Sequence, residues 1–341
     1  MRTLSMGLTR RRVALLAGAA LATPAIARAQ SAPVELKVSH FLPPNHTFQK
    51  QCLIWSDELE KASSGRLKLK MYPAGQLGPA PRQFDLARSG VADIAFGLSG
   101  VTPGRYPMTD LISEAYVTPA EGGSCAVMSR RLTSLYDQYL AAEYIGVKML
   151  WMMVTSPLKF HTTKVALRRL EDFKGLRIRY AGEQFADIVT ALGAMPLAVP
   201  PGETQDSLAK GIIDGATFPY EGAQSFDIGT VAKYTLEPGI STATFGAAMN
   251  PKKFDALPPD LAALITQSTG QAMATRFGAA LDAAEGVGRD YMIAKGVTIT
   301  TMPDDEMAKM RAAVAPLLAK RVAALEAQGK PAEAFHRAYV G

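Results

Sequence analysis

The sequence predicts an α/β protein with two lobes. Three observations carry this: two separated runs in which strand-like and helix-like stretches alternate, enough length for two cores, and a long alanine-rich helical stretch able to brace both lobes. Chains tend to divide above about 250 residues, and about 310 of the 341 residues remain once an amino-terminal address is set aside. That address is residues 1–29, in which Thr9-Arg10-Arg11-Arg12 precedes an apolar stretch from Val13 to Ile26 and Ala27-Arg28-Ala29 supplies a small-x-small cleavage pattern. The apolar run is shorter than the roughly 20 residues of a spanning helix and is interrupted by Pro24, so an export signal cleaved near Ala29-Gln30 is expected. The adjacent arginines favour the twin-arginine route over the ordinary secretory one, and both lead to the periplasm.

The elements follow in order. Val34 to Ser39 alternates apolar and polar residues with the period of a half-buried strand and runs into His40-Phe41-Leu42. Phe48, Cys52, Trp55 and Leu59 then recur on one helical face that stops before Gly65. Leu67 to Tyr72 is a second strand, Pro73-Ala74-Gly75 a turn, Gln83 to Ser89 a short helix closed by Gly90, and Val91 to Phe96 a third strand. The same order returns after Pro157, with a strand at Leu176–Tyr180, a helix at Glu183–Leu192, a strand at Pro196–Val199, a helix at Thr204–Lys210 and a strand at Ile212–Phe218. Pro258 to about Lys295 is helix-favouring throughout. Asp304 is placed to cap a last helical region up to Gly329, with Pro316 as a kink or boundary. The lobes are therefore drawn as residues 30–156 plus about 245–284, and 157–244 plus about 285–341.

Composition excludes several classes. The leader holds five arginines and no lysine or acid, so the formal charge of +6 falls to +1 on cleavage and gives no support for nucleic-acid binding. Lys164, Arg168 and Arg169 cluster locally as a solvated loop. Two cysteines, Cys52 and Cys125, allow one bridge or two buried thiols but no cysteine-rich metal site. The chain has no GxSxG, HExxH, CxxC, phosphate loop or dinucleotide fingerprint. His40, His46, His161 and His336 lack metal-ligand spacing, so neither metal nor cofactor is expected. His40 and His161 do lie at predicted strand ends, where loops line a crevice.

Leu170-Glu171-Asp172-Phe173-Lys174-Gly175-Leu176-Arg177-Ile178-Arg179 resembles the signature of the DctP-type solute-binding proteins of TRAP transporters. Tyr72-Pro73-Ala74-Gly75-Gln76-Leu77-Gly78 looks like that family's PxGQLG turn, Gly90-Val91-Ala92-Asp93 like its GxxD strand entry, and Gly211-Ile212-Ile213-Asp214-Gly215 like its GVVDG. The resemblance runs in family order over nearly the whole mature chain. It implies a two-lobed periplasmic binding protein of the Venus-flytrap, type II-like form, not an enzyme. It also implies a monomer that delivers a small carboxylate to DctQ/DctM-type membrane subunits.

The same resemblance implies that Arg179 pairs with the ligand carboxylate, and its planar fork suits two parallel hydrogen bonds. Arg177, on the same strand face, is the internal rival. Lys159, twenty residues before Arg179, matches a second cation found in some relatives. Phe218 occupies the position of an asparagine in relatives that bind sugar acids, which favours a less hydroxylated acid: a 2-oxo, 2-hydroxy or aromatic one. His40, Phe41, Gln76, Arg105, Trp151, His161, Tyr220 and Glu221 complete the candidate site, with Phe160 and Phe245 able to extend an apolar wall. Gly104-Arg105-Tyr106-Pro107 resembles a GRFP element of some relatives. Two alternatives remain at this level: a periplasmic enzyme using His40 or His161 as general base, and a binding protein that reports to a membrane receptor.

Overall fold

The structure, a computed structural model, describes residues 33–180 and 182–341. The expected export signal and its cleavage point lie outside the described residues. In chain order the elements are β1 Val34–His40, α1 Thr47–Ala62, β2 Leu67–Tyr72, α2 Gln83–Ser89, β3 Ile94–Leu98, α3 Cys125–Leu135, β4 Lys148–Val154 and β5 Leu158–Thr162. There follow β6 Arg177–Arg179, α4 Glu183–Ala191, β7 Met195–Leu197, α5 Thr204–Ala209, β8 Gly215–Phe218, α6 Tyr220–Ser225, β9 Tyr234–Ser241 and β10 Thr244–Met249. The last are α7 Pro251–Asp255, α8 Pro259–Gln267, α9 Gly270–Ala294, β11 Thr298–Thr301, α10 Asp304–Glu326 and α11 Ala332–Val340.

These strands form two sheets, β2-β1-β3-β10-β4 and β11-β9-β5-β8-β6-β7. β1 pairs in parallel with β2 and β3, the pairing that a strand–helix–strand crossover requires, and α1 supplies that crossover with Phe48, Cys52, Trp55 and Leu59 buried as their spacing predicts. β6 likewise pairs in parallel with β7 and β8.

The chain passes directly from strand to strand between the sheets at two adjacent places, from β4 to β5 through Thr155–Pro157 and from β9 to β10 through Thr242–Ala243, and returns to the second sheet through α7–α9. The crossings are tied together: Thr155 N–H donates to the Ala243 carbonyl at 3.0 Å, and Ala243 N–H to Thr155 Oγ1 at 3.0 Å. β10 is buried along its whole length, and β4 is buried from Leu150 onward. Neither strand therefore shows the alternation that would mark it in the sequence.

The long helix braces both sides, as expected. α9 packs on α3 and β4 beside the first sheet and on α6 beside the second. Two glycines allow the approach, since a Cβ at Gly278 would stand 2.4 Å from the backbone of Cys125 and Ala126, and one at Gly288 would stand 2.4 Å from that of Tyr220. α11 returns the end of the chain to the first side, burying Phe335 and Tyr339 with Leu132, Leu140 and Tyr144.

Four boundaries differ from expectation. The third strand begins at Ile94 and not Val91, because Asp93 turns its carboxylate to accept the Lys37 N–H at 2.7 Å. The stretch from Pro258 is two helices. Ser268 Oγ accepts the Trp55 indole N–H at 2.9 Å and donates to the Ile265 carbonyl, while Thr269 Oγ1 donates to the same carbonyl, and these side-chain bonds end α8. Pro316 makes no boundary: α10 runs through it on an exposed face, where the displaced Ala312 carbonyl is open to solvent. Asp304 is the first residue of that helix, not its cap. Cys52 and Cys125 are both buried free thiols. Among the described residues no helix is long and apolar enough to cross a membrane.

Candidate functional site

The site grows from the short strand β6. Its two arginines meet different environments. Arg177, partly exposed, forks onto Asp214 with Nε to Oδ2 and Nη2 to Oδ1 both at 2.9 Å, and this pairing holds the Asp214 carboxyl below its ordinary range. Arg179 is only 2% exposed. Its Nε donates to the Val199 carbonyl at 3.1 Å and its Nη1 to the Thr217 carbonyl at 3.0 Å, and its guanidinium lies 4.4 Å from the centroid of the Phe218 ring. Among the described residues no carboxylate pairs with it. Burial alone lowers its pKa to about 9.

A guanidinium has five N–H donors; two are committed here, and the residue lines two cavities. Burying an uncompensated charge costs several kcal/mol even after relaxation, so such a group marks a place where a partner of opposite charge is to arrive.

Arg179 stands where two chambers meet. The outer one, about 620 Å³, is walled by Phe41, by the loops at Ala74–Gly75, Pro79–Pro81 and Gly100–Pro103 from the first side, and by Tyr180 and Ala198–Gly202 from the second. Of its seventeen described lining residues, only Arg179 and Tyr180 carry a polar side-chain atom. The inner chamber, about 50 Å³, adds Phe48, Phe218, Phe226 and Phe245, with His46, Thr155 and Glu221 as its further polar side chains.

Residues 38–324 match the family model of bacterial extracellular solute-binding proteins, family 7, the DctP family. The chain belongs to this family of TRAP solute-binding proteins. Solved relatives share the whole two-lobed fold. A TRAP solute-binding protein from Rhodoferax ferrireducens, in complex with copurified benzoate, is 28% identical with a TM-score of 0.85, covering 90% of this chain and 96% of that one. One from Bordetella bronchiseptica, with bound (R)- and (S)-mandelate, is 27% identical with a TM-score of 0.83, covering 90% and 98%. The C4-dicarboxylate-binding periplasmic protein DctP of Rhodobacter capsulatus is 24% identical over 271 residues, 74% of this chain and 76% of that one. The chain aligns with about half the length of the Salmonella typhimurium protein YiiZ, 30% identical over 162 residues. Family and structural relatives are solute-binding proteins, not enzymes.

Within this binding-protein framework the other sequence candidates fall into three groups. Phe41, Phe218 and Glu221 line the chambers, as does Phe245, stacked on Phe41 at 6.0 Å between centroids. Lys159 and Tyr220 line a separate cavity beside α9. There Lys159 Nζ is paired with Glu285 and sits 4.8 Å over the Tyr220 ring, while the Tyr220 hydroxyl donates to Glu237 at 2.7 Å. The remainder lie outside the chambers. His40 is fully buried against Gln49 at 2.6 Å. His161 is fully buried between Thr235 Oγ1 at 2.8 Å and the Phe218 carbonyl at 3.1 Å, with burial lowering its pKa to about 4. Trp151 and Phe160 are core, Gln76 is an exposed turn residue, and Arg105 forks onto Asp85 at 2.7 and 3.2 Å. These positions sit at strand ends or in motifs, but the strands aim their side chains into the core or the opposite rim.

The sequence reading missed the proline-rich loops, Pro79–Pro81 and Pro200–Pro201, and also His46, Phe48 and Phe226. A run of two prolines in a βα loop is a usable signal for the former, since it holds backbone stiff without adding polar side chains. No local signal marks His46, which reads as a helix cap.

Proposed function

We propose that the protein captures a small monocarboxylate with an aromatic or otherwise apolar body in the periplasm and delivers it to DctQ/DctM-type membrane subunits. The observation that carries this reading is the pairing of one buried, uncompensated arginine with an outer chamber otherwise nearly free of polar side chains. The carboxylate takes the free Nη donors of Arg179 end-on, with both partners out of water, where a charge-assisted bidentate pair is strong. The apolar body replaces water against Phe41, Val101 and the prolines. A second carboxylate would find no second cation there, and the hydroxyls of a sugar acid would lose hydrogen bonds, so dicarboxylates and sugar acids are disfavoured. Benzoate and mandelate in relatives at 27–28% identity support the aromatic class.

The chamber walls come from both sheets, so a ligand favours the closed arrangement through contacts made only when both walls are near. The lobes are drawn as residues 30–156 plus about 245–284 and 157–244 plus about 285–341, and they would turn about the paired crossings at Thr155–Pro157 and Thr242–Ala243. Closure is what the membrane subunits would recognise.

The test is a thermal-shift and calorimetry panel on the protein from residue 30 onward. Benzoate, phenylacetate and mandelate are expected to raise the melting temperature by stabilising the folded state, with succinate and galacturonate leaving it unchanged. Tight binding of succinate or galacturonate, with no response to the aromatic acids, refutes the reading.

A further inference from the structure

The inner chamber holds polar groups that the carboxylate does not need. His46 and Glu221 line it at 5% and 4% exposure. His46 caps α1, its Nδ1 accepting the Phe48 N–H at 3.2 Å. Nδ1 also lies 3.2 Å from Glu221 Oε1, but the Phe48 N–H already occupies its lone pair. The neutral ring, which burial favours, therefore carries its proton on Nε2. Glu221 Oε1 accepts the Thr47 N–H at 3.1 Å and is 3.5 Å from Ser225 Oγ. Among the described residues neither His46 Nε2 nor Glu221 Oε2 makes a hydrogen bond. The chamber's hydroxyl, Thr155 Oγ1, accepts the Ala243 N–H, and among the described residues its own proton has no acceptor.

Away from Arg179, the chamber thus presents the His46 N–H and the Thr155 hydroxyl as donors and the Glu221 carboxylate as acceptor, among phenyl rings. Centroid distances trace the wall from Arg179 to Phe218 at 4.4 Å, Phe218 to Phe226 at 5.5 Å and Phe226 to His46 at 6.3 Å. This separates the pair from the guanidinium by two rings. A second carboxylate would be repelled by Glu221, and an apolar substituent would leave both groups unmatched. A hydroxyl accepts from Nε2 and donates to Oε2, satisfying both at once.

We propose that His46 and Glu221 form a second recognition point that selects a ligand bearing a hydroxyl on its apolar body: a hydroxylated aromatic or aryl-aliphatic monocarboxylate. This rests on the reading of Arg179 as the carboxylate partner. A pocket built to hydrogen-bond a hydroxyl rejects the analogue lacking it far more strongly than an apolar pocket rejects an extra methylene.

Calorimetry with phenylacetate, mandelate, 3-hydroxyphenylacetate, 4-hydroxyphenylacetate and the matching methyl ethers tests it. At least one hydroxyl position is expected to bind at least about tenfold tighter than phenylacetate, with the gain lost in its methyl ether. Glu221→Gln keeps an oxygen for the Thr47 N–H, and His46→Asn keeps an acceptor for the Phe48 N–H. Each variant is expected to erase the hydroxyl gain, read as the ratio of the hydroxylated acid's affinity to that of phenylacetate in the same variant. If phenylacetate binds but no hydroxyl helps, or the gain survives both variants, the second recognition point is overturned and the Arg179 reading stands. If none of the series binds while another class of acid does, both fall.

Discussion

Two buried cations lie on strands of the second sheet that only β8 separates, and the protein treats them in opposite ways. Lys159 on β5 sits over the Tyr220 ring at 4.8 Å and is neutralised by Glu285 from the bracing helix. Arg179 on β6 sits over the Phe218 ring at 4.4 Å with two backbone carbonyls and no carboxylate. Lys159 and Phe218 are register partners across β5 and β8, so the two environments are one strand apart. The difference is compensation. A buried charge with its counter-charge in the same chain is part of the structure, and removing one partner damages the fold. A buried charge without one destabilises the empty protein and is retained for what it binds.

Substitutions can break or sharpen this contrast. Arg179→Met is expected to weaken binding of any cognate carboxylate by at least about a hundredfold, the size of a lost charge-assisted bidentate contact, while the ligand-free protein melts at the same or a higher temperature. Calorimetry and thermal unfolding measure the two halves, and a large loss of stability would place Arg179 with Lys159 as a structural cation. Lys159→Met should do the reverse. It leaves the partly buried Glu285 with only the Glu221 N–H as partner and lowers unfolding free energy by about 1–2 kcal/mol, with affinity changed less than about threefold.

A smaller effect concerns pH. The cationic form of Arg179 binds the carboxylate, and its pKa is lowered to about 9 by burial. Affinity should therefore be flat from about pH 6 to 8 and fall about tenfold per unit above the free-state pKa, as proton loss competes with binding. The sign for the empty protein is opposite: with the folded pKa below the unfolded one, the unfolded chain holds more protons above pH 9, so this group's contribution to stability rises there. A flat affinity profile through pH 10 would show that the guanidinium keeps its proton there, which corrects the pKa and leaves the pairing standing. Smallest of all, Arg177→Ala is expected to leave affinity within about twofold, because its fork is already closed on Asp214.

Much of the architecture was legible because half-buried elements carry a period. α1 shows its four core residues at helical spacing, and β1 and β2 alternate, since each has one face to the core. The interior strands that join the two sides were not, because β4 and β10 are buried and lack a polar face. Motif order singled out Arg179 and Phe218, which line one chamber. Position at a strand end did not place His40, His161 or Trp151 in it, since all three are fully buried away from both chambers.

The sequence alone therefore determined the family, the α/β repeats, the bracing helix and the arginine to watch, because these rest on local periodicity, motif order and side-chain chemistry. Only the tertiary structure decided which of two arginines on one short strand is free. Asp214 closes on Arg177 because the strand after it, β8, lies beside β6 in parallel register, bringing together residues 37 apart in the chain. The same folding brings His46 of α1 against Glu221 of α6 in a chamber otherwise of phenyl rings. Charge compensation is a property of distance in space, and no pattern along the chain records it.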